Sequence, residues 1–401
     1  MSEMPAAPSG SSLHTAGDLL DLIRTGRAAT RTDLQRLTGL SRTAVGARVT
    51  ALARAGLVVQ GDESVSTGGR PPGTLLFNAD AGVVLAAAIG RSRSQLAVFD
   101  LEGRELAGDT SDHEVGVGAP ELMPRLIDRL RTMLDGLSAA PVLGIGVSLP
   151  GVVDPVRLVS VDSPVMGGWD GVPLEPYFRE VTDAPVFLAN DADVLAEAEL
   201  FGGTPFRDLL VVKASTGLGL GVVADGRVLT GHLGAAGEIG HTRTEAGDLP
   251  CRCGNTGCLE AIAAGWALVN AFNDSGREAG HIRDLVAFAL AGDAVARKLL
   301  RDSGRRLGEV LAVAINLLNP EAVVIGGDMG QAFEVYAAGV RESVYARSTA
   351  LATRDLQFVP STQGDSSGLL GCAALAVKHV LAPTAVDARL ADAESAEAQR
   401  V

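Results

Sequence analysis

The chain has 401 residues, 47% of them hydrophobic, enough for two or three domains with sizeable cores. No apolar run reaches the length of a membrane span and no basic-then-hydrophobic leader opens the chain, so a membrane or secreted protein is not expected and a cytoplasmic one is. The formal net charge of −14 argues against global attraction to nucleic acid, yet residues 1–80 carry eight arginines against seven acids, so the negative charge lies on the remainder. Only three of the 34 basic residues are lysines (Lys213, Lys298 and Lys378), which reads as coding bias rather than function.

Residues 1–13 are rich in Ser, Pro, Gly and Ala and read as a mobile tail. From Ala16 the pattern is helical, with Leu19, Leu20, Leu22 and Ile23 on one face. A second helix is expected over 31–38 with Leu34 and Leu37 inward. Gly39-Leu40 then makes a short turn, and Ser41 is placed to cap a third helix with Val45, Val49, Leu52 and Ala53 inward. A helix, a tight glycine turn and a capped helix is helix-turn-helix spacing. Arg42, Thr43 and Arg48 fall on its outer face, where arginine can grip guanine edges or phosphates and threonine can meet thymine methyls. Two short strands, 57–59 and 74–77, flank a loop holding Gly68-Gly69-Arg70-Pro71-Pro72, from which Arg70 could enter a minor groove. By itself the trio leaves open a three-helix interaction module with a solvated arginine face.

Past Ala79 strands and helices alternate. Val83–Gly90 is a buried strand ending in Ala88-Ile89-Gly90-Arg91-Ser92, and Gln95–Asp100 is its hairpin partner. A helix over 120–137 precedes the strand Val142–Leu149 and the run Pro150-Gly151-Val152-Val153-Asp154. Ser163–Trp169 is a loop, and Val186–Ala189 is a strand ending in Asn190-Asp191, either of which can cap the helix that follows. Leu209–Ala214 is another buried strand, and Ser215–Gly221 reads as a glycine-rich turn. Residues 282–318 are helix-rich, 319–327 form a strand running into glycines, and a last helix covers 364–381. Residues 383–401 read as a loose polar tail.

The densest signal lies at Gly237-Glu238-Ile239-Gly240-His241 and Cys251-Arg252-Cys253-Gly254-Asn255-Thr256-Gly257-Cys258-Leu259-Glu260. Three of four cysteines within eight positions, with one histidine nearby, supply the four ligands of a closed structural zinc site: His241, Cys251, Cys253 and Cys258. A disulfide fits poorly, because Cys251 and Cys253 are too close to bridge and an odd thiol remains. These two motifs together resemble the signature of the ROK family of bacterial sugar kinases and sugar-responsive transcription regulators.

The resemblance covers residues 15–381 and implies an α/β fold. It predicts a two-lobed actin-like ATPase (ribonuclease H-like) body preceded by an all-α-plus-wing winged helix-turn-helix. The expected divisions are 14–78 for the DNA-binding domain, 79–195 for the small lobe (completed by 365–381), 196–364 for the large lobe with the zinc motif, and 382–401 for a flexible tail. It further implies that His241 binds zinc through one ring nitrogen and a sugar hydroxyl through the other, with Asn190, Asp191, Glu238 and Glu260 completing the sugar set. In family kinases the aspartate at position 191 is the base. Those kinases also carry an Asp-x-Gly-Gly-Thr phosphate loop, where this chain has Ala88, Arg91 and Ser92, and an asparagine where Val165 stands. Loss of the acid and of a glycine removes the means to hold magnesium and phosphate.

The expectation is therefore a sugar-responsive regulator, a repressor in the family's manner, with no enzymatic activity. Its partners would be operator DNA, a sugar or sugar phosphate and a second copy or more of itself, as a homodimer or homotetramer. An ATP-dependent hexose kinase with an appended DNA-binding domain is the main alternative, and a ligand-blind architectural DNA binder the third.

Overall fold

The computed structural model describes residues 14–61, 73–137, 140–161, 166–244 and 248–398. The expected mobile N-terminal tail, Arg70 of the wing and Val165 of the sugar loop lie outside the described residues.

Three helices open the fold: α1 (Ala16–Arg24), α2 (Arg31–Thr38) and α3 (Arg42–Arg54). Thr15 and Thr30 form capping boxes with Asp18 and Asp33, and the Ser41 hydroxyl accepts from the Ala44 amide at the start of α3. Gly39, at φ 71°, ends α2 in the left-handed region and makes the turn into α3 short. Val45, Val49 and Leu52 pack with Leu19, Leu20, Leu22 and Leu34. Ala53 is exposed rather than inward, since one residue after Leu52 is a rotation of about 100° around the helix. Strands β1 (Val58–Gln60) and β2 (Leu75–Phe77) pair antiparallel, completing the winged arrangement.

Two sheets of identical strand order follow. The first comes from β3 (Val83–Ile89), β4 (Arg93–Asp100), β5 (Glu105–Asp112), helix α4 (Ala119–Asp135), β6 (Val142–Leu149), the small hairpin β7 (Val153–Asp154) and β8 (Val159–Ser160), helix α5 (Glu175–Phe178), β9 (Val186–Asn190) and helix α6 (Asp191–Phe201). The second comes from β10 (Leu209–Ala214), β11 (Leu218–Ala224), β12 (Arg227–Val228), helices α7 (Glu260–Ala263), α8 (Gly265–Asp274), α9 (Ile282–Leu290) and α10 (Ala294–Leu318), β13 (Ala322–Gly326), helices α11 (Phe333–Arg347) and α12 (Ala350–Thr353), and β14 (Gln357–Pro360). The orders are β5-β4-β3-β6-β9 and β12-β11-β10-β13-β14. In each, three strands meander antiparallel and two more join in parallel by helical crossovers. This duplication is the two-lobed actin-like plan that the sequence led us to expect. Helix α6 lies on the second sheet, helix α13 (Ser367–Val380) lies on the first, and the two helices pack on each other between the lobes.

Three local expectations need correction. Strand β5 was not expected, because Glu105–Asp112 is a solvated edge strand with no apolar alternation to announce it. The supposed turn Ser215–Gly221 is a turn only to Gly217. Leu218–Ala224 is strand β11, paired in register with β10, and its glycines are kept bare by α6, since a Cβ on Gly221 would stand 2.7 Å from the Ala192 carbonyl oxygen. The supposed loose tail is helix α14 (Pro383–Ala398), docked on α1. Val386 is fully buried and Leu390 nearly so, and the Asp387 carboxylate accepts from the Gly17 amide at 2.9 Å. Its polar composition hid two inward apolar residues, which join the cluster that includes Leu19, Leu20 and Leu22 of α1. Among the described residues no single helix is long and apolar enough to cross a membrane.

Gly17 sets the approach of α14, because a Cβ there would stand 2.2 Å from the Pro383 carbonyl oxygen. Gly17→Ala is therefore expected to lift α14 off α1, lowering stability by about 1–3 kcal/mol. Limited proteolysis should then cut the variant near residue 383 well before wild type. Equal cutting of both would remove α14 as a fixed element.

Candidate effector and metal site

The cleft between the lobes is a cavity of about 270 Å³ at the carboxyl ends of β3, β6, β9 and β10, where open α/β sheets bind ligands. Ala88, Arg91, Asn190, Asp191, Lys213, Glu238, His241 and Glu260 all line it.

Asn190 ends β9 and caps α6. Its Oδ1 accepts from the Ala192 amide and its Nδ2 donates to the Gly151 carbonyl, each at 2.7 Å, so β9 and the Pro150-Gly151 turn are tied together at the cleft wall. Asp191 follows in the first turn of α6, with a carboxylate oxygen 2.7 Å from Lys213 Nζ. Burial pulls the Lys213 ammonium down. The charge and hydrogen bond of Asp191, with Asp328 and Glu260, outweigh that and hold it above its ordinary value. Lys213 escaped notice in the sequence, although a lysine near the end of an otherwise apolar strand was the signal.

Glu238 and His241 belong to a short 3₁₀ turn, Ile239–His241, and its preceding residue. His241 Nε2 is 3.9 Å from a Glu238 oxygen, while its Nδ1 is 3.8 Å from Cys251 Sγ on the other side. Burial pushes the Glu238 carboxyl above its usual range against the pull of His241. Glu260, at the start of α7, is buried. Its carboxylate accepts from the Leu218 amide at 3.3 Å and from Trp266 Nε1 at 3.4 Å. Trp266 in turn carries the Arg252 guanidinium over its ring, 4.4 Å from the centroid, which pins the cysteine loop to α8.

The ligand atoms of His241, Cys251, Cys253 and Cys258 all lie within 4.8 Å of one another. Cys253 Sγ is 3.7 Å from Cys258 Sγ. A tetrahedral zinc with ordinary bond lengths puts its ligands about 3.4–3.8 Å apart, so the donor set and its spacing fit that ion. Gly254 and Gly257 take φ 88° and 74° to fold the loop. Burial pushes the Cys258 thiol up to about 12, so a cation is what would make this cluster accept thiolates.

Three arginines line the cleft near the end of β3 and the start of α9. Arg91 sits in the β3–β4 turn, half-buried, and interacts electrostatically with Arg252 and Glu260 of the other lobe. Arg283 of α9 reaches across to Asp112 of β5 at 3.9 Å, and Asp112 also holds Arg93 at 2.7 Å.

On the winged module, Arg42 and Thr43 stand exposed at the start of α3. Arg48 is half-buried, with Nε on the His14 carbonyl and a terminal nitrogen on that of Ala44.

Fold and site together describe an actin-like body with a polar cleft and a cysteine-histidine cluster, carrying a winged helix-turn-helix. The chain belongs to the ROK family, whose match spans residues 84–379. It is 28% identical over 368 residues to the xylose repressor of Bacillus subtilis (strain 168), covering 90% of this chain and 94% of that protein. A crystal structure of a ROK family transcriptional regulator, a homologue of the E. coli MLC protein, superposes with a TM-score of 0.80 at 28% identity, covering 94% of this chain and 98% of that one. The ROK family glucokinase from Streptomyces griseus, in complex with glucose and AMPPNP, is also 28% identical. It superposes with a TM-score of 0.63 and covers 74% of this chain and 99% of the kinase.

Beneath Asp191, Asp193 is 4% exposed. Its carboxyl is pushed up to about 7 by burial and by the charges of Glu197, Asp191 and Glu238, against the pull of Lys378. An acid raised in the folded state is disfavoured there once charged, so its destabilisation begins as pH passes the ordinary 3.8 and is complete above about 7. Asp193→Asn is expected to stabilise the protein at pH 8, on the order of 1–3 kcal/mol, and to bring no such gain at pH 4. Denaturant titration at the two pH values checks this.

Proposed function

We propose that this chain is a sugar-responsive DNA-binding transcription regulator that binds its sugar in the cleft without phosphorylating it. The observation that carries the reading is the combination in one chain of a capped recognition helix with an exposed outer start and a cleft whose hydroxyl-binding groups survive while its phosphate turn does not. A near full-length likeness to a xylose repressor and to a transcriptional regulator supports it, whereas the kinase likeness leaves a quarter of the chain unmatched.

In this reading Asn190, Asp191, Glu238, His241 and Glu260 hold the sugar hydroxyls. Zinc on His241 Nδ1 and the three thiolates would fix the ring and leave Nε2 facing the cleft. Arg42 and Thr43 would meet the major groove, Arg48 would contact DNA after leaving its backbone partners, and Arg70 would serve the minor groove. Closure of the lobes on the sugar would displace the start of α13, where Ser367 and Gly368, with Asp365 just before them, line the cleft. Helix α14 follows α13 after two residues and seats α1, so that displacement would reach the DNA-binding module. A homodimer or homotetramer would thereby change its fit to operator half-sites.

Arg42→Ala is expected to weaken operator binding, by about 1–3 kcal/mol where the side chain reads a base and uniformly across sequences where it meets phosphate. Fluorescence anisotropy with operator and scrambled duplexes distinguishes the two, and an unaltered affinity removes the recognition-helix assignment.

Zinc and sugar binding should be coupled through His241. Cys253→Ser is expected to lose zinc and to bind sugar more weakly, both measured on one preparation. Zinc loss with wild-type sugar affinity would reduce the cluster to a distant clip.

The second reading, a hexose kinase, is favoured by Asp191 at the cleft and opposed by Ala88 and Arg91 at the phosphate turn. A coupled ADP-release assay with glucose, N-acetylglucosamine and D-xylose at high magnesium is expected to stay far below roughly 1 s⁻¹, and turnover at that level would establish the kinase instead.

A further inference from the structure

The end of β10 places a cation where a phosphoryl-transfer site would want its base unencumbered. Lys213 Nζ lies 2.7 Å from Asp191, and the two side chains are only 21% and 17% exposed, both on the cleft. A carboxylate that already accepts from an ammonium is a weaker proton acceptor, so the pair is poorly suited to general base catalysis. It is well suited to something else. The ammonium has three donors, one of which is used by Asp191, and no other hydrogen-bond partner for it is found among the described residues. Residue 219, directly opposite on β11, is glycine, so no side chain from that position covers it.

We propose that Lys213 and Asp191 act as one ligand-reading pair that grips a single free sugar hydroxyl. Asp191 accepts the hydroxyl proton and Lys213 donates to the hydroxyl oxygen. A hydroxyl is both donor and acceptor and satisfies both groups. A hydrogen or a methyl ether in its place leaves the Asp191 acceptor unmatched, and a phosphate ester brings an anion against the carboxylate. The effector is therefore a sugar that carries a free, unphosphorylated hydroxyl at the position beside Asp191. This rests on the sugar-binding reading above and narrows it to one chemical class of ligand.

The test is isothermal titration of full-length wild type, Lys213→Met, Lys213→Arg and Asp191→Asn. The probes are D-xylose, D-glucose and N-acetylglucosamine, then the monodeoxy and monophosphate derivatives of whichever binds. In wild type, one monodeoxy derivative should lose at least tenfold in affinity, and the phosphate at that same position should lose more. In Lys213→Met the parent sugar should lose at least tenfold, while the penalty for that one deoxy derivative shrinks below threefold, the signature of a direct contact. Asp191→Asn should shrink the same penalty, and Lys213→Arg, which keeps charge and donors, should restore most of it. Wild-type affinity in Lys213→Met, an equal weakening of every derivative, or tighter binding of the phosphate by wild type would each overturn the pair. If wild type binds none of the three sugars, the sugar reading itself falls, a result distinct from all of these.

Discussion

The close packing of α6 on α13 is the contact on which the rest of the molecule depends. Each helix lies on the sheet of a different lobe, and their contact is the seam between the lobes. The seam is tight: a Cβ on Gly371 of α13 would stand 1.8 Å from the Val194 carbonyl oxygen of α6, so the backbones meet with no side chain between them. Such a contact forbids large sliding and leaves hinge-like opening at the cleft end. Asp191 begins α6 and Gly364–Gly368 lead into α13, so these cleft-lining groups stand at one end of the seam. The other end of α13 leads directly to α14 and the winged module.

The cysteine loop and the cleft share one residue. His241 shows Nδ1 to the sulfurs and Nε2 to Glu238, and Arg252 in the same loop stacks on Trp266, which itself donates to Glu260. The loop thus braces the cleft wall from behind through two independent contacts. A carboxylate or imidazole held in place before the ligand arrives loses less freedom on binding. That economy matters in a cleft whose groups are charged and half-buried, where an unsatisfied polar atom costs about 1–3 kcal/mol.

Charge pairing is a second feature of the cleft. Arg91 stands half-buried near Glu260, Arg283 bridges to Asp112 on the opposite lobe, and Lys213 neutralises Asp191. The Arg283–Asp112 and Lys213–Asp191 pairs are both made within the protein. In the cleft, Lys213 and Arg283 are thus both held by acids of the protein itself.

Much of this was legible in the amino-acid order. Local signals carry over short distances: a cap three residues ahead of its amide marked α3, a glycine in the left-handed region marked the turn before it, and four metal-type ligands in eighteen residues marked the cluster. Long apolar runs marked β3, β6, β10 and β13, because strands buried on both faces need no alternation. What only the tertiary structure decided concerns residues whose meaning lies in a distant partner. Strand β5 is polar because it is an edge, and β11 keeps its glycines because α6 lies against them. Helix α14 buries Val386 and Leu390 in a cluster shared with α1. Arg48, outward by periodicity, is turned back by a carbonyl 34 residues away, and Lys213 is bound to an aspartate 22 positions earlier. Pattern along a chain reports which face a residue occupies. Which group waits on that face is set by how the sheets and helices close, and for the ion pair in the cleft that closure chose the partner of Lys213.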